Sequence, residues 1–314
     1  DRVGMTREVK AGCVLETAKE GARAQGRLLP IGFAAQGSAM VGGIIATNAG
    51  GINALRYGTT RQMVLGIEAV LADGSVIRKL HGLRKDNTGY DWKQLLIGSE
   101  GTLGIVTAAV LRLSALPSEQ CVAFAAVASP AAAVRLLERL QDTMGDSISA
   151  FELMSGAAVD RAVRFVGGRL PVASADWHLL IEVGGSAPAP AQRLLAALET
   201  AMGEGGIEDA AVADSLSRAQ EFWALRENIT EAERHAGASV KHDVAVTVSQ
   251  VPAFIEAARA LAVWTALPCV KGPIPRAIPS GLMWTYSLRW KRSAVSSRKA
   301  IISRNFQPVS MCIN

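Results

Sequence analysis

The sequence predicts an α+β fold built around two sheets. Three observations predict it. Segments with strand patterning alternate with segments of helical patterning, which makes helix-covered sheets rather than a bundle or a sandwich. A turn signal at Leu116-Pro117-Ser118 divides that alternation in two. The composition, 49% apolar and 19% charged over 314 residues, suits ordinary packed domains, roughly two at this length. The expected division is 1–117, 118–264 and a tail over 265–314.

The elements follow in order. Glu8 to Cys13 reads as a short strand and turn, and 14–26 as a helix closed by Gly26. Residues 32–51 are rich in Gly and Ala and poor in charge. Val64 to Leu71 reads as a strand, Asp73-Gly74 as a hairpin signal and Val76-Ile77 as the return strand. Trp92 to Ile97 leads into a second Gly-rich turn at 98–104, and Ile105 to Leu113 reads as a strand. Cys121 to Val127 is a strand. Ser129-Pro130 then supplies an N-cap and a proline at the first helical position, opening a helix to about Thr143. Strands are expected at Ala150–Met154 and His178–Val183, a helix at 189–203, one long helix at 217–236, a strand at Lys241–Val248 and a helix opening at Val251-Pro252. The strand–helix–strand units after about residue 119 predict a ferredoxin-like second sheet.

Composition excludes several classes. No run of 18 apolar residues occurs; the richest stretch, Cys121 to Leu137, is broken by Ser129, Pro130 and Arg135, so no transmembrane helix is expected. The opening residues show no basic-then-apolar leader pattern. Four separated cysteines without CxxC spacing argue against a zinc ribbon or a disulfide scaffold and fit a reducing compartment. Four histidines form no metal-binding pattern, so no metal site is expected. Beyond Glu256 there are nine Lys and Arg and no Asp or Glu, which leaves residues 1–256 at −4 out of a total of +5. Trp284, Tyr286 and Trp290 among those bases would suit an arm for an anionic surface. The Ser-rich, aperiodic character instead reads as a divergent tail outside the fold, and no nucleic-acid partner is expected.

The run Gly37 to Gly51 carries five glycines and small side chains. Such a run lets a ligand approach the backbone and can aim N–H groups at an anion, with Thr47 and Asn48 adding side-chain hydrogen bonds. It contains neither GxGxxG nor GxxxxGK[ST]. On spacing alone it reads first as a tight corner that only packs.

Three blocks give a more specific reading. Gly42-Gly43-Ile44-Ile45-Ala46-Thr47-Asn48-Ala49-Gly50-Gly51 with Leu55-Arg56-Tyr57-Gly58, then Leu83 to Asp91, then Ile97-Gly98-Ser99-Glu100-Gly101-Thr102-Leu103-Gly104-Ile105-Val106-Thr107 resemble the FAD-linked oxidases related to vanillyl-alcohol oxidase. Their order resembles the branch with D-2-hydroxyglutarate dehydrogenase, D-lactate dehydrogenase and the glycolate oxidase flavin subunit. The resemblance implies a partial FAD-binding domain over 1–117 and a ferredoxin-like cap over 118–264. It implies FAD contacts from Ser38, Gly42, Gly43, Thr47, Asn48, Ala49, Gly50, Gly51, Glu100, Gly101, Gly104, Ile105 and Val106. The activity it implies is oxidation of a D-2-hydroxyacid by hydride transfer to the flavin, with electrons passing on to a quinone, a cytochrome or an electron-transfer flavoprotein.

Within the cap, Trp223 to Ala232 and Lys241 to Val244 carry the resemblance furthest. Arg226 and Thr230 stand four apart and are expected on one helix face, with Lys241 opening the next strand. The resemblance implies that these three bind the substrate carboxylate and hydroxyl. The alternative for Arg226 is an ion pair with Glu227 or Glu231.

The family also carries an earlier Pro-Gly-Gly loop and later His-rich and Glu-His-Gly runs, which supply metal ligands and a catalytic base. The chain starts downstream of the first, and nothing after Val263 resembles the others. The expectation is therefore a truncated, divergent copy with no catalytic residue assigned, either active or an inactive fragment; the competing class is a non-catalytic subunit of a flavin dehydrogenase complex. A cytoplasmic location, with or without peripheral contact to a membrane, is expected.

Overall fold

The computed structural model describes residues 1–33, 35–185, 189–236, 244–265 and 311–312. In the first half the chain runs β1 (Thr6–Lys10), α1 (Leu15–Arg23), β2 (Arg27–Leu28), α2 (Val41–Ala46), α3 (Ala54–Tyr57), α4 (Thr60–Met63), β3 (Val64–Val70), β4 (Val76–Lys79), α5 (Lys93–Leu96), β5 (Ile105–Arg112) and β6 (Ser114–Ala115). β1-β5-β3-β4 form an antiparallel sheet. Leu15, Ala18 and Ala22 of α1 recur at helical spacing and bury one face against it, with Ile44 and Ile45 of α2 and Ile67 and Leu111 of the sheet. Gly26, at φ +68°, follows α1, as expected of a helix stop. The short helix α2 inside the Gly-rich run was not foreseen, because glycine is a poor helix former.

The second half runs β7 (Glu119–Val127), α6 (Pro130–Met144), β8 (Ile148–Ser155), α7 (Gly156–Phe165), β9 (Trp177–Gly185), α8 (Pro190–Gly203), β10 (Ile207–Val212), α9 (Leu216–Glu227), α10 (Ile229–Ala236), α11 (Val251–Thr265) and β11 (Met311–Cys312). Strands β10-β7-β9-β8 pair antiparallel throughout. That is the ferredoxin-like order, with α7 inserted between the second and third strands. Ser129 caps α6 by accepting from the Ala132 N–H at 3.1 Å. The sheet is covered on both faces, so β7, β8 and β9 are buried almost throughout rather than on alternate residues. Leu136, Leu140, Leu194 and Leu198 from α6 and α8 fill one face; Phe222, Leu225 and Ile229 from α9 and α10 fill the other with Phe124.

Three expectations change. The helix expected over 217–236 is two helices interrupted at Asn228. Residues 244–247 have no regular structure where a strand was expected, and 241–243 lie outside the described residues. β11, in the tail read as lying outside the fold, pairs with β8 through Met311↔Leu153 and Cys312↔Glu152.

The two halves meet at α3. Leu55 packs on the cap core, and Arg56 Nη1 donates to the Gly184 carbonyl at 2.6 Å. No helix among the described residues is long and apolar enough to cross a membrane.

Candidate functional site

The two Gly-rich segments come together at the C-terminal end of α2. The Gly98 N–H donates to the Ile45 carbonyl at 3.1 Å, and the Glu100 N–H to the Ala46 carbonyl at 2.9 Å. Arg61 ties the junction from behind, donating from Nη2 to the Ile97 carbonyl (2.5 Å) and from Nη1 to the Gln94 carbonyl (2.8 Å). The Arg61 N–H and Thr59 Oγ1 donate to Asn48 Oδ1 at 2.9 and 3.0 Å.

Among the described residues, two of the four non-glycine residues at positive φ stand here, Asn48 at +47° and Glu100 at +50°. Each costs of order 1 kcal/mol, so the surrounding contacts hold a shape the backbone would not choose alone. Such strain collects where a ligand needs a particular surface.

Individual glycines separate packing from ligand approach. A Cβ on Gly42 would stand 2.7 Å from that of Ala11, and one on Gly51 would stand 2.0 Å from the Gly32 carbonyl oxygen. One on Gly104 would stand 3.0 Å from the Val70 carbonyl oxygen. Packing of the chain on itself accounts for those three. Gly43 differs, because a Cβ there would meet nothing within 4 Å. It sits in a helix at ordinary φ, where alanine would be more stable by about 1 kcal/mol. A bare backbone with no internal reason to be bare fits the close approach of a ligand such as FAD.

Other expected donors are already engaged. The Val41 and Gly42 N–H groups donate to the Cys13 and Ala11 carbonyls, and Ala49 N–H to that of Ile44. Thr47 Oγ1 donates to the Gly43 carbonyl at 3.0 Å, and Ser38 Oγ to that of Ala35 at 3.3 Å. Of the residues in this run expected to contact the cofactor, Gly43, Gly50 and Gly51 keep an N–H without a backbone acceptor among the described residues. Ile105 is exposed beside this surface, while Val106 is buried in the sheet.

On the cap side, Arg226 and Thr230 do not share one straight helix. Arg226 lies in the last turn of α9, and Thr230 is exposed beyond the interruption. Arg226 Nε donates to Glu152 Oε2 at 2.9 Å. Its carboxylate partner is thus on β8, and neither of the two neighbours considered from sequence. Glu231 instead pairs with Arg234 and His235. Three residues before Arg226, Trp223 Nε1 donates to Glu182 Oε2 at 2.9 Å, and Ser149 Oγ donates to Glu182 Oε1 at 2.6 Å. Lys241 lies outside the described residues.

A cavity of about 260 Å³ opens at the seam, walled by Arg56, Tyr57, Ser149, Glu182 and Trp223. Burial there pushes the Tyr57 phenol up. Glu152 and Glu182 were missed from sequence. Their signal was a lone acid in each of two apolar strands, Ala-Phe-Glu-Leu-Met and Leu-Ile-Glu-Val, where a charge needs a partner.

The block Leu83–Asp91 lines a cavity of about 400 Å³ with Arg61, Lys79 and Lys93. Asp86 organises its rim, pairing with Lys79 at 2.5 Å and His81 at 3.3 Å. The Lys79 ammonium holds the Asp86 carboxyl down to about 2. No group of three or more metal-ligating side chains occurs among the described residues.

The sequence matches the family described as "FAD binding domain" over residues 1–79 and that described as "FAD linked oxidases, C-terminal domain" over 116–271. The chain belongs to the FAD-linked oxidases. FAD is the cofactor of this family, and the mixed helix–strand architecture above is its fold. It is 40% identical over 243 residues to the mitochondrial D-2-hydroxyglutarate dehydrogenase of Bos taurus, covering 77% of this chain and 45% of the relative. It is 37% identical over 261 residues to the D-2-hydroxyglutarate dehydrogenase of Xanthomonas citri pv. viticola, covering 82% and 54%. The chain thus spans about half the length of these curated relatives. Among solved structures, an alkyldihydroxyacetonephosphate synthase superposes with a TM-score of 0.60 at 19% identity, over 84% of this FAD-linked oxidase chain and 53% of the synthase. That likeness concerns the fold alone.

Proposed function

We propose that this chain provides the FAD-holding surface and the substrate-binding cap of a dehydrogenase that oxidises a D-2-hydroxyacid, D-2-hydroxyglutarate first among candidates. The observation that supports it most is the docking of the 98–104 turn onto the C-terminal end of α2, the helix that carries the open Gly43, in a chain whose relatives bear that name. Residues 1–117 serve as the cofactor part and 118–264 as the cap.

FAD, when bound, supplies the acceptor for the hydride leaving the substrate α-carbon. The protein's own contribution is position and charge. Gly43, Gly50 and Gly51 offer bare backbone to the cofactor, with Ser38, Gly42, Thr47, Asn48, Ala49, Glu100, Gly101, Gly104, Ile105 and Val106 shaping its surroundings. The Arg226 guanidinium offers charge-assisted donors to a substrate carboxylate. Thr230 and Lys241 complete the set, a hydroxyl and an ammonium suited to the carboxylate and the α-hydroxyl. Electrons then leave to a quinone, a cytochrome or an electron-transfer flavoprotein.

The test is a titration of D-2-hydroxyglutarate into the FAD-reconstituted chain, followed by the flavin absorption spectrum. Saturable perturbation that Arg226→Ala abolishes is the expected result. An identical titration curve for Arg226→Ala removes the carboxylate role.

A further inference from the structure

We infer that Glu152 is a positioning residue, which sets the direction of the Arg226 guanidinium for a substrate carboxylate. The inference rests on the substrate reading above and extends it to a residue buried behind the site.

The geometry comes from two neighbouring strands and one helix. Glu152 on β8 stands opposite Leu180 of β9, and Glu182 on β9 stands opposite Ala150 of β8, so the two acids are diagonal neighbours on adjacent strands. Each accepts from α9: Glu182 from Trp223 Nε1 and Glu152 from Arg226 Nε, both at 2.9 Å. Trp223 and Arg226 are three apart, which places them on one side of the helix about 4.5 Å apart along its axis. Two such bonds fix both the rotation and the axial register of α9 on the sheet. A single bond would leave one of them open.

Burial makes the Glu152 contact more than a surface ion pair. The Glu152 side chain is 3% exposed and that of Arg226 is 20% exposed. A carboxylate so placed is not screened by water, and removing its partner would leave a buried charge. The guanidinium is planar and rigid, so holding Nε fixes its plane and the line of its Nη1–Nη2 end. Lysine could not transmit this constraint, because an ammonium has no second donor edge.

The alternative role for Glu152 is a plain counter-charge that lowers the affinity of Arg226 for anions. The two roles predict opposite signs on neutralisation. Glu152→Gln keeps the shape and the acceptor oxygen but loses the charge-assisted bond. If Glu152 positions Arg226, D-2-hydroxyglutarate binding to the FAD-reconstituted chain weakens about tenfold, Glu152→Asp recovers part of the loss, and FAD affinity stays unchanged. The Arg226 Nε–H resonance in a ¹⁵N spectrum also loses the downfield position that a carboxylate partner imposes.

Equal or tighter binding by Glu152→Gln, with Arg226→Ala still abolishing binding, overturns the positioning role and leaves the substrate reading intact. Unchanged binding in Arg226→Ala, or no binding by the unaltered chain, overturns the substrate reading and this inference with it. A wild-type Arg226 Nε–H resonance at its free-guanidinium position overturns the geometry itself.

Discussion

Acidification should weaken the cap through one residue, His178. It lies on β9 with its side chain completely buried, edge-on to Phe124 at 5.7 Å between ring centroids. Neither ring nitrogen has a hydrogen-bond partner among the described residues. Burial alone pushes its pKa down to about 4. In the unfolded chain it returns to about 6.5. The unfolded state therefore takes up a proton at a pH where the folded state refuses it. Stability is complete above about pH 6.5 and falls by about 1.4 kcal/mol per pH unit below it, roughly 3 kcal/mol by pH 4.5. On this sheet Glu152 and Glu182 are engaged with Arg226 and Trp223, and Asp209 accepts from the Ala173 N–H. These acids are common to the native chain and a His178→Leu variant, so the difference between the two isolates His178. The assay is urea unfolding at pH 7.5 and 4.5, read by the fluorescence of Trp177 and Trp223. The variant should lose roughly 3 kcal/mol less than the native chain on acidification. Equal losses in the two proteins would refute the reasoning.

Gly43→Ala should raise the melting point of the FAD-free chain by a few degrees, worth about 1 kcal/mol, and weaken FAD binding; calorimetry with and without FAD checks both. Gly51→Ala has no such latitude, since its Cβ would stand 2.0 Å from the Gly32 carbonyl oxygen; a loss of about 2 kcal/mol or more is expected in urea titration. Arg56→Ala removes the Gly184 contact at the seam and should separate the melting of the two halves in a calorimetric scan. Arg61→Ala frees the 94–98 turn from its carbonyl anchors, and amide exchange at Gly98 and Glu100 should speed at least tenfold.

The strand cores and the two-sheet division were legible because burial imposes apolar runs and because turn residues mark their ends. Gly26, Ser129-Pro130 and Asp73-Gly74 each act through local backbone geometry, so a single sequence displays them. β10 was missed because Glu208 and Asp209 interrupt its apolar pattern at an edge. α7 was missed because the reason for its first residue is distant: a Cβ on Gly156 would stand 1.9 Å from the Ala175 carbonyl oxygen. The Gly-rich run could be located but not resolved into roles. Gly42 and Gly51 answer to Ala11 and Gly32, contacts that only the folded chain makes, while Gly43 answers to neither.

The cap site shows the same limit more sharply. Arg226 was singled out, yet its partner is 74 residues away on another element. The nearest acids in the sequence, Glu227 and Glu231, stand one and five residues away, and neither is at the three- or four-residue spacing that brings helical side chains together. What sequence could have signalled was the cost of Glu152 and Glu182 inside apolar strands, and hence that some donor must reach each of them.

The proposed FAD surface comprises α2, the Gly50–Gly51 backbone and the 98–104 turn. The most direct measurement is a calorimetric titration of FAD into the purified chain, repeated on Gly43→Val. The predicted result is saturable one-to-one binding, accompanied by a change in flavin fluorescence, that Gly43→Val abolishes while the chain keeps its circular dichroism. A folded native chain that takes up no FAD, or a Gly43→Val chain that binds it equally well, would contradict the account.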